Sequence, residues 1–217
     1  ALGDGLADDT IPVRQAISTL KSLGGGILKF PKAEYKVNHL LIDFDNVVVE
    51  GNDSTLIYNG DPDEEIQGKN KSDIFNISQA NNIKMFDLNL IGPMFTGFDM
   101  DNPPTEIIDN AFTSQSKGIH VSQSNNLLFE NIKIREFSTN FNFIDSNNFK
   151  LVNCDSSLTN MSYKTERCKG FTLDSCKSTD SRFTFNRTHN NVPEKPGSLG
   201  HGFLFNKSEG YAVNCVD

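Results

Sequence analysis

Eight side chains in the second half of the chain are of types that move protons or hold charge: Glu166, Asp180 and His201, surrounded in sequence by Lys164, Arg167, His189, Asp145 and His120. Two carboxylates can divide general acid and general base work, while a histidine, lysine or arginine can take up a proton or neutralise a developing anion. Asp180 precedes His201 by 21 residues and Asp145 precedes Arg167 by 22. Those intervals bring side chains together only if the chain returns to the same place about every 22 residues.

It does. The stretches "GIHVSQSNNLLFENI" (118–132), "NFNFIDSNNFKLVNC" (140–154) and "SYKTERCKGFTLDSC" (162–176) align without gaps at steps of 22. Ile119, Phe141 and Tyr163 share a column, as do Val121, Phe143 and Thr165. Leu127, Phe149 and Phe171 form a third column, and Phe129, Leu151 and Leu173 a fourth. The copy at 73–90 contributes Phe75, Ile77, Ile83 and Met85; the copy at 202–215 contributes Phe203, Phe205, Tyr211 and Val213. The apolar residues alternate at period two and no copy carries a helical stripe, so each copy predicts one coil of a parallel β-helix. A single coil cannot bury its inner face; stacked coils share one core. Asn81-Asn82, Asn125-Asn126 and Asn147-Asn148 mark a turn where Asn tolerates left-handed backbone, and Gly170 and Gly210 take the second position in later copies. Cys154 and Cys176 share a column, and the four cysteines lack zinc-site spacing, which predicts buried free thiols.

Composition narrows the partners. A formal charge of −8 argues against nucleic acid or an anionic membrane surface, and no apolar run reaches the roughly 18 residues of a span. Two segments break the period, at 92–117 and 184–202. The first carries Phe95 and Phe98, read as sugar platforms or as buried against the wall or a neighbouring subunit, and acidic residues that could hold Ca²⁺; no other cofactor is expected. "GYAVNCVD" stops within a coil, which reads as a portion of a longer protein.

Ahead of the coils, "ALGDGLADDTIPVRQAISTL" offers Asp8, Asp9 and Thr10 as N-cap residues, then Val13, Ala16, Ile17 and Leu20 on one face of a short helix. That helix can lie over the open end of the first coil, which would otherwise expose apolar surface and a sheet edge. The expected division is a cap over 1–37 and a β-helix over 38–217.

"GDGLADDT", Ala16-Ile17, "GGGILKFP" and Tyr35-Lys36-Val37 resemble the N-terminal signature of the pectate-lyase-like β-helix superfamily, whose members include glycosidases, polysaccharide lyases and bacteriophage tailspikes. The resemblance implies an all-β fold, a right-handed parallel β-helix with an N-terminal capping helix. It also implies a polysaccharide or cell-surface glycan as partner, an extracellular or virion setting, and a homotrimer. In such proteins the groove lies on the outer wall of one sheet, flanked by loops. Hydrolysis there needs two carboxylates across the sugar bond, and a lyase needs a base plus charge neutralisation. Alternation turns His120, Asn142 and Lys164 outward in one column and Ser122, Ile144 and Glu166 in the next. "GHGF" (200–203) is similar to the Gly-His-Gly of polygalacturonase-type glycosidases, with Asp180 about one coil before it. Only Asp180 of the paired-Asp motif is present, in "TDSR", and the earlier Asn-x-Asp motif has no counterpart near 158–161. The expected catalytic set is therefore Asp180, Glu166 and His201, with Arg167, Lys164, His189, Asp145 and His120 binding substrate. Two functions stay open: a depolymerase of the tailspike or secreted kind, and a β-helix that grips glycan without cutting it. For Asp145–Arg167 and for Glu166 beside Lys164 and Arg167, the alternative is plain surface ion pairing.

Overall fold

The computed structural model describes residues 1–60, 73–93, 116–159, 161–179 and 201–216. The sequence columns become ladders of parallel strands. β10 (Thr139–Ile144) lies between β8 (Lys117–Ser122) and β13 (Met161–Glu166), with Phe141 opposite Ile119 on one side and Tyr163 on the other. β6 (Asp73–Ser78) and β4 (Leu40–Ile42) extend this sheet in one direction and β16 (His201–Asn206) in the other, giving six parallel strands.

The remaining walls belong to one eleven-stranded sheet. β5 (Val47–Tyr58), β7 (Asn81–Ile91) and β9 (Asn125–Arg135) each pass through a bend and serve two walls. Their first halves continue as β11 (Asn147–Val152), β14 (Lys169–Asp174) and β17 (Glu209–Val213), forming the second wall. Their second halves continue as β12 (Asp155–Ser157) and β15 (Lys177–Thr179), forming the third. The chain thus folds as a right-handed parallel β-helix. Sharp corners need left-handed backbone, which Asn and Asp adopt more readily than other non-glycine residues. Asp53, Asp87, Asn131 and Asn153 turn the corner between second and third walls with φ of 50–56°. At the corner after the six-stranded sheet Asn82, Asn126 and Asn148 have φ of 54–59°, and Gly170 follows at 65°. The asparagines just before them form a ladder: Asn125 donates to Asn81 at 3.2 Å and Asn147 to Asn125 at 3.3 Å.

Phe75, Ile119, Phe141 and Tyr163 are all buried in one stack. The ring of Tyr163 lies parallel to those of Phe141 and Phe203, 5.0 and 4.9 Å away. Phe149 stacks on Phe143 and Phe171 in the neighbouring column, at 4.3 and 5.2 Å. Cys154 and Cys176 are buried free thiols, donating to the carbonyls of Phe129 and Leu151. In the last coil the sequence register does not hold. A one-residue slip between Lys169 and Phe171 sets Gly210 against Phe171 and Tyr211 against Thr172. Since side chains alternate faces, the slip takes Tyr211 and Val213 out of the apolar columns, and they are 74% and 46% exposed. Gly210 accordingly does not occupy the left-handed position; it lies over the Phe171 ring, where a Cβ would come within 2.5 Å.

The opening departs from expectation in a second way. Residues Asp4–Asp8 form a strand, β1, which pairs with β3 (Glu34–Val37) at the start of the stack. Helix α1 (Thr10–Ser22) follows, and β2 (Gly26–Lys29) joins β5. Asp9 sits at the N-cap position yet makes no capping bond; its buried carboxylate accepts from the amides of Leu2 and Gly3, at 2.6 and 3.3 Å. Asp8 instead accepts from the Thr10 amide at 2.9 Å. Val13 and Ile17 are buried and Leu20 packs against the same core, whereas Ala16 faces solvent. The Arg14 guanidinium donates to the carbonyls of Asn38 and His39, tying the helix to the first coil.

Two outcomes follow from this packing. Phe141→Ala removes a fully buried ring between two neighbours and is expected to cost about 3–5 kcal/mol, read as a lower urea midpoint with an unchanged slope. Deleting residues 1–23 uncovers the first coil, so the product is expected to aggregate in size-exclusion runs where the parent elutes as one species.

Candidate functional site

The outer face of the six-stranded sheet carries three columns of side chains. The first contains Asp73, Lys117, Thr139 and Met161, in register from β6 to β13. The second contains Asn76, His120, Asn142 and Lys164, and the third Ser78, Ser122, Ile144 and Glu166. Position within a column fixes which groups can meet, because neighbouring strands lie about 4.8 Å apart.

The groups nearest the left-handed corner form a chain of ion pairs. Arg167 grips Asp145 with two bonds, Nε to Oδ1 at 2.6 Å and Nη2 to Oδ2 at 2.9 Å, and also pairs with Glu166. Glu166 lies 3.7 Å from Lys164 as well. Arg167 holds the Asp145 carboxyl below the ordinary carboxylate range, and Asp145 in turn raises the guanidinium. Both partners of the outer pair are half exposed, so solvent screens the bidentate contact and it adds little to stability. Glu166 is held between two cations, and Asp145 stays ionised; this network is built to balance charge.

At the other end of the sheet lies a group that motif reasoning missed. Asp73 points outward yet is 1% exposed, and its Oδ1 has no hydrogen-bond partner; Asn76 donates to Oδ2 at 3.0 Å and Lys117 stands 3.9 Å away. Burial raises its pKa to about 6, against the opposing pull of Lys117 and Asn76. Two strands away Asn142 is 2% exposed, with its amide nitrogen 2.9 Å from His120 Nδ1 and its oxygen unpartnered. His120 is lowered to about 4 by burial first and by Lys117 next, so it is neutral across the ordinary range. A neutral imidazole can accept or donate a hydrogen bond, and Asn142 fixes one of its nitrogens.

Of the residues singled out in sequence, the structure joins Glu166, Lys164, Arg167 and Asp145, and puts His120 on the same face two strands from Lys164. The backbone of His201 lies opposite Met161, at the far end of adjacent strands from Glu166, roughly 16 Å along the strand direction. Asp180 and His189, with Phe95 and Phe98, lie outside the described residues. Asp73 and Glu166 are three strand steps apart as well as at opposite strand ends. That exceeds the roughly 5–9.5 Å of a hydrolytic carboxylate pair.

This architecture is a right-handed parallel β-helix, and solved structures share it. An exopolygalacturonase from Thermotoga maritima superposes with a TM-score of 0.62 at 16% identity, over 82% of this chain and 50% of that one. A protein assigned as a glycosyl hydrolase from Parabacteroides merdae gives 0.59 at 13% identity, over 98% of this chain and 90% of that one. The ORF18 protein of Geobacillus virus E2 gives 0.55 at 14%, over 98% and 46%. The chain thus spans half the length of the exopolygalacturonase and less than half of the viral protein. At these identities the likeness concerns the fold. No protein-family model matches the sequence, and no curated protein matches it.

The two perturbed groups make the face testable by pH. Asp73 is raised from 3.8 to about 6, so its contribution to stability falls as pH rises from about 4 to about 6. His120 is lowered from 6.5 to about 4, so its contribution is lost as pH falls over nearly the same window. Each swing is on the order of 2–3 kcal/mol, and the two oppose each other. The parent's melting temperature is expected to vary little between pH 4 and 6.5. Asp73→Asn leaves the histidine contribution, so melting rises with pH; His120→Asn leaves the carboxylate, so melting falls. Three parallel profiles would show that neither group titrates as a buried one.

Proposed function

We propose that the protein binds a polysaccharide along the outer face of the six-stranded sheet and degrades it there. One observation carries the reading: on an outward face, where side chains normally meet water, Asp73 and Asn142 are buried and each keeps an oxygen that accepts no hydrogen bond, the Asp73 oxygen having only Lys117 at 3.9 Å. Unpartnered buried acceptors are costly, and they are retained where a ligand supplies the donors. A glycan offers hydroxyl donors. The polysaccharide-acting descriptions of two structural neighbours, the exopolygalacturonase and the glycosyl hydrolase, support the same class of substrate. The viral neighbour supports a virion or extracellular setting.

In this reading Lys164, Arg167, Asp145, His120 and His189 hold the chain of sugars, and Asp180, Glu166 and His201 act on it. Asp73 joins them as a carboxyl protonated below about pH 6. The intact protein works as a homotrimer. The ion-pair network favours one competing reading: Glu166, neutralised by Lys164 and Arg167, holds shape only, and the face binds without cutting.

Incubation with a panel of cell-surface polysaccharides, followed by size-exclusion chromatography, separates these. Chain shortening by the parent, reduced at least about tenfold in kcat by Asp180→Asn or Glu166→Gln, is the expected result. Retention of polysaccharide without shortening would establish the binding-only reading. Shortening at the parent's rate by both variants would move the chemistry away from this face.

A further inference from the structure

The third wall carries a hollow that the outer face of the six-stranded sheet does not share. Its volume is about 750 Å³, and it runs parallel to the solenoid axis. One side is the in-register column Asn89, Lys133, Asp155 and Lys177; the other is the corner column that includes Asp87, Asn131 and Asn153. The columns advance one coil per residue, so the hollow from Asp53 to Ser175 spans four strand steps, ~19 Å by strand spacing.

We infer that this groove is a second, non-catalytic binding site for a linear, uncharged glycan. Four features select that ligand. Lys32, Lys133 and Lys177 balance Asp53, Asp87 and Asp155, so the lining has no net charge with which to draw in a polyanion. It contains no aromatic ring on which a base could stack. Its floor and sides are side chains of strands hydrogen-bonded on both flanks, apart from edge strand β15, whose outer side is met by a bridge from Lys177 to Val216, so an extended peptide has little sheet edge to join. What it offers is donors and acceptors in alternation, the match for a polymer of hydroxyls, each of which does both.

The groups are also available. Among the described residues Lys133 and Lys177 have no ion-pair partner, although Asp155 stands between them in the column. The side chains of Asp155 and Asn153 make no hydrogen bond there, whereas Asn131 is held by Asp87 at 2.9 Å and so presents a fixed amide. A polar group at every coil suits a repeating polymer, which gains a contact per coil. The inference rests on the glycan reading above but concerns a different wall. Its role is to hold a long chain while the other face works on it.

The test uses the full chain, labelled with ¹⁵N, titrated with short linear oligomers of glucan, mannan, xylan and N-acetylglucosamine. At least one is expected to shift the amides of Lys133, Asp155 and Lys177. The exposed-residue variant K133A/K177A should weaken that binding by about tenfold or more, and D155N should weaken it without removing bulk. Asp73→Asn, on the other wall, should leave it unchanged. The inference is overturned if no neutral oligomer shifts these amides, if only oligogalacturonate, oligonucleotide or peptide does, or if K133A/K177A binds as the parent does. Failure of polysaccharide shortening in Asp180→Asn with groove binding intact concerns the other face alone, so the two readings fail separately.

Discussion

Every strand between the ends is bound to the coil before it and the coil after it, and that two-sided hydrogen bonding constrains everything else. It requires each copy to spend the same number of residues between a given pair of corners. It also makes like positions lie on like, so a choice at one position is a choice for a column. The inner columns satisfy this with flat rings and branched aliphatics; Phe141, Tyr163 and Phe203 can lie parallel because their backbones are one strand spacing apart. The corners satisfy it with residues that accept left-handed backbone, each preceded by an asparagine whose amide reaches the identical group one coil away.

The same stacking has an electrostatic side. Identical charges in a column would repel at about 4.8 Å, and some outer columns avoid this by alternation. Asp145 is followed by Arg167, Lys133 by Asp155 and then Lys177. His120, with Lys117 and Lys164 nearby, is kept neutral by its burial first and by those lysines second. Outer faces are therefore not free surfaces on which any residue can be set. A group such as Glu166 is held by the needs of its column neighbours before it is available to a ligand.

Much of the fold was legible because the copies between 118 and 176 repeat without a gap, which fixed Ile119, Phe141 and Tyr163 as one ladder and the Asn pairs as a corner. Legibility failed where the length rule is relaxed. The slip beside Lys169 is invisible in the spacing of Phe203 and Phe205, so Tyr211 and Val213 looked like core. Strand β1 was hidden because "DGLAD" has neither an apolar alternation nor a β-branched residue; tertiary pairing with β3 makes it a strand. Of the candidate site, the ion-pair cluster was readable from column positions. Asp73 was not, since its distinction is burial on an outward face, a property of packing that no residue type announces.

The connections are unequal in a telling way. Those at two of the three corners keep nearly constant length, while 59–72, 92–116, 136–138, 158–160 and 180–200 all join the third wall to the six-stranded sheet. Chain length is therefore free to vary at one seam of the solenoid. Both ends of every such connection are anchored by strands already in register, so segments there can be lengthened, shortened or exchanged while the ladder keeps its count. The seam borders the column that begins with Asp73, Lys117 and Thr139. Evolution can thus rewrite one flank of that face, coil by coil, on an unaltered frame. The seam is a modular socket, and diversification of what the face meets does not compete with the stability of what carries it.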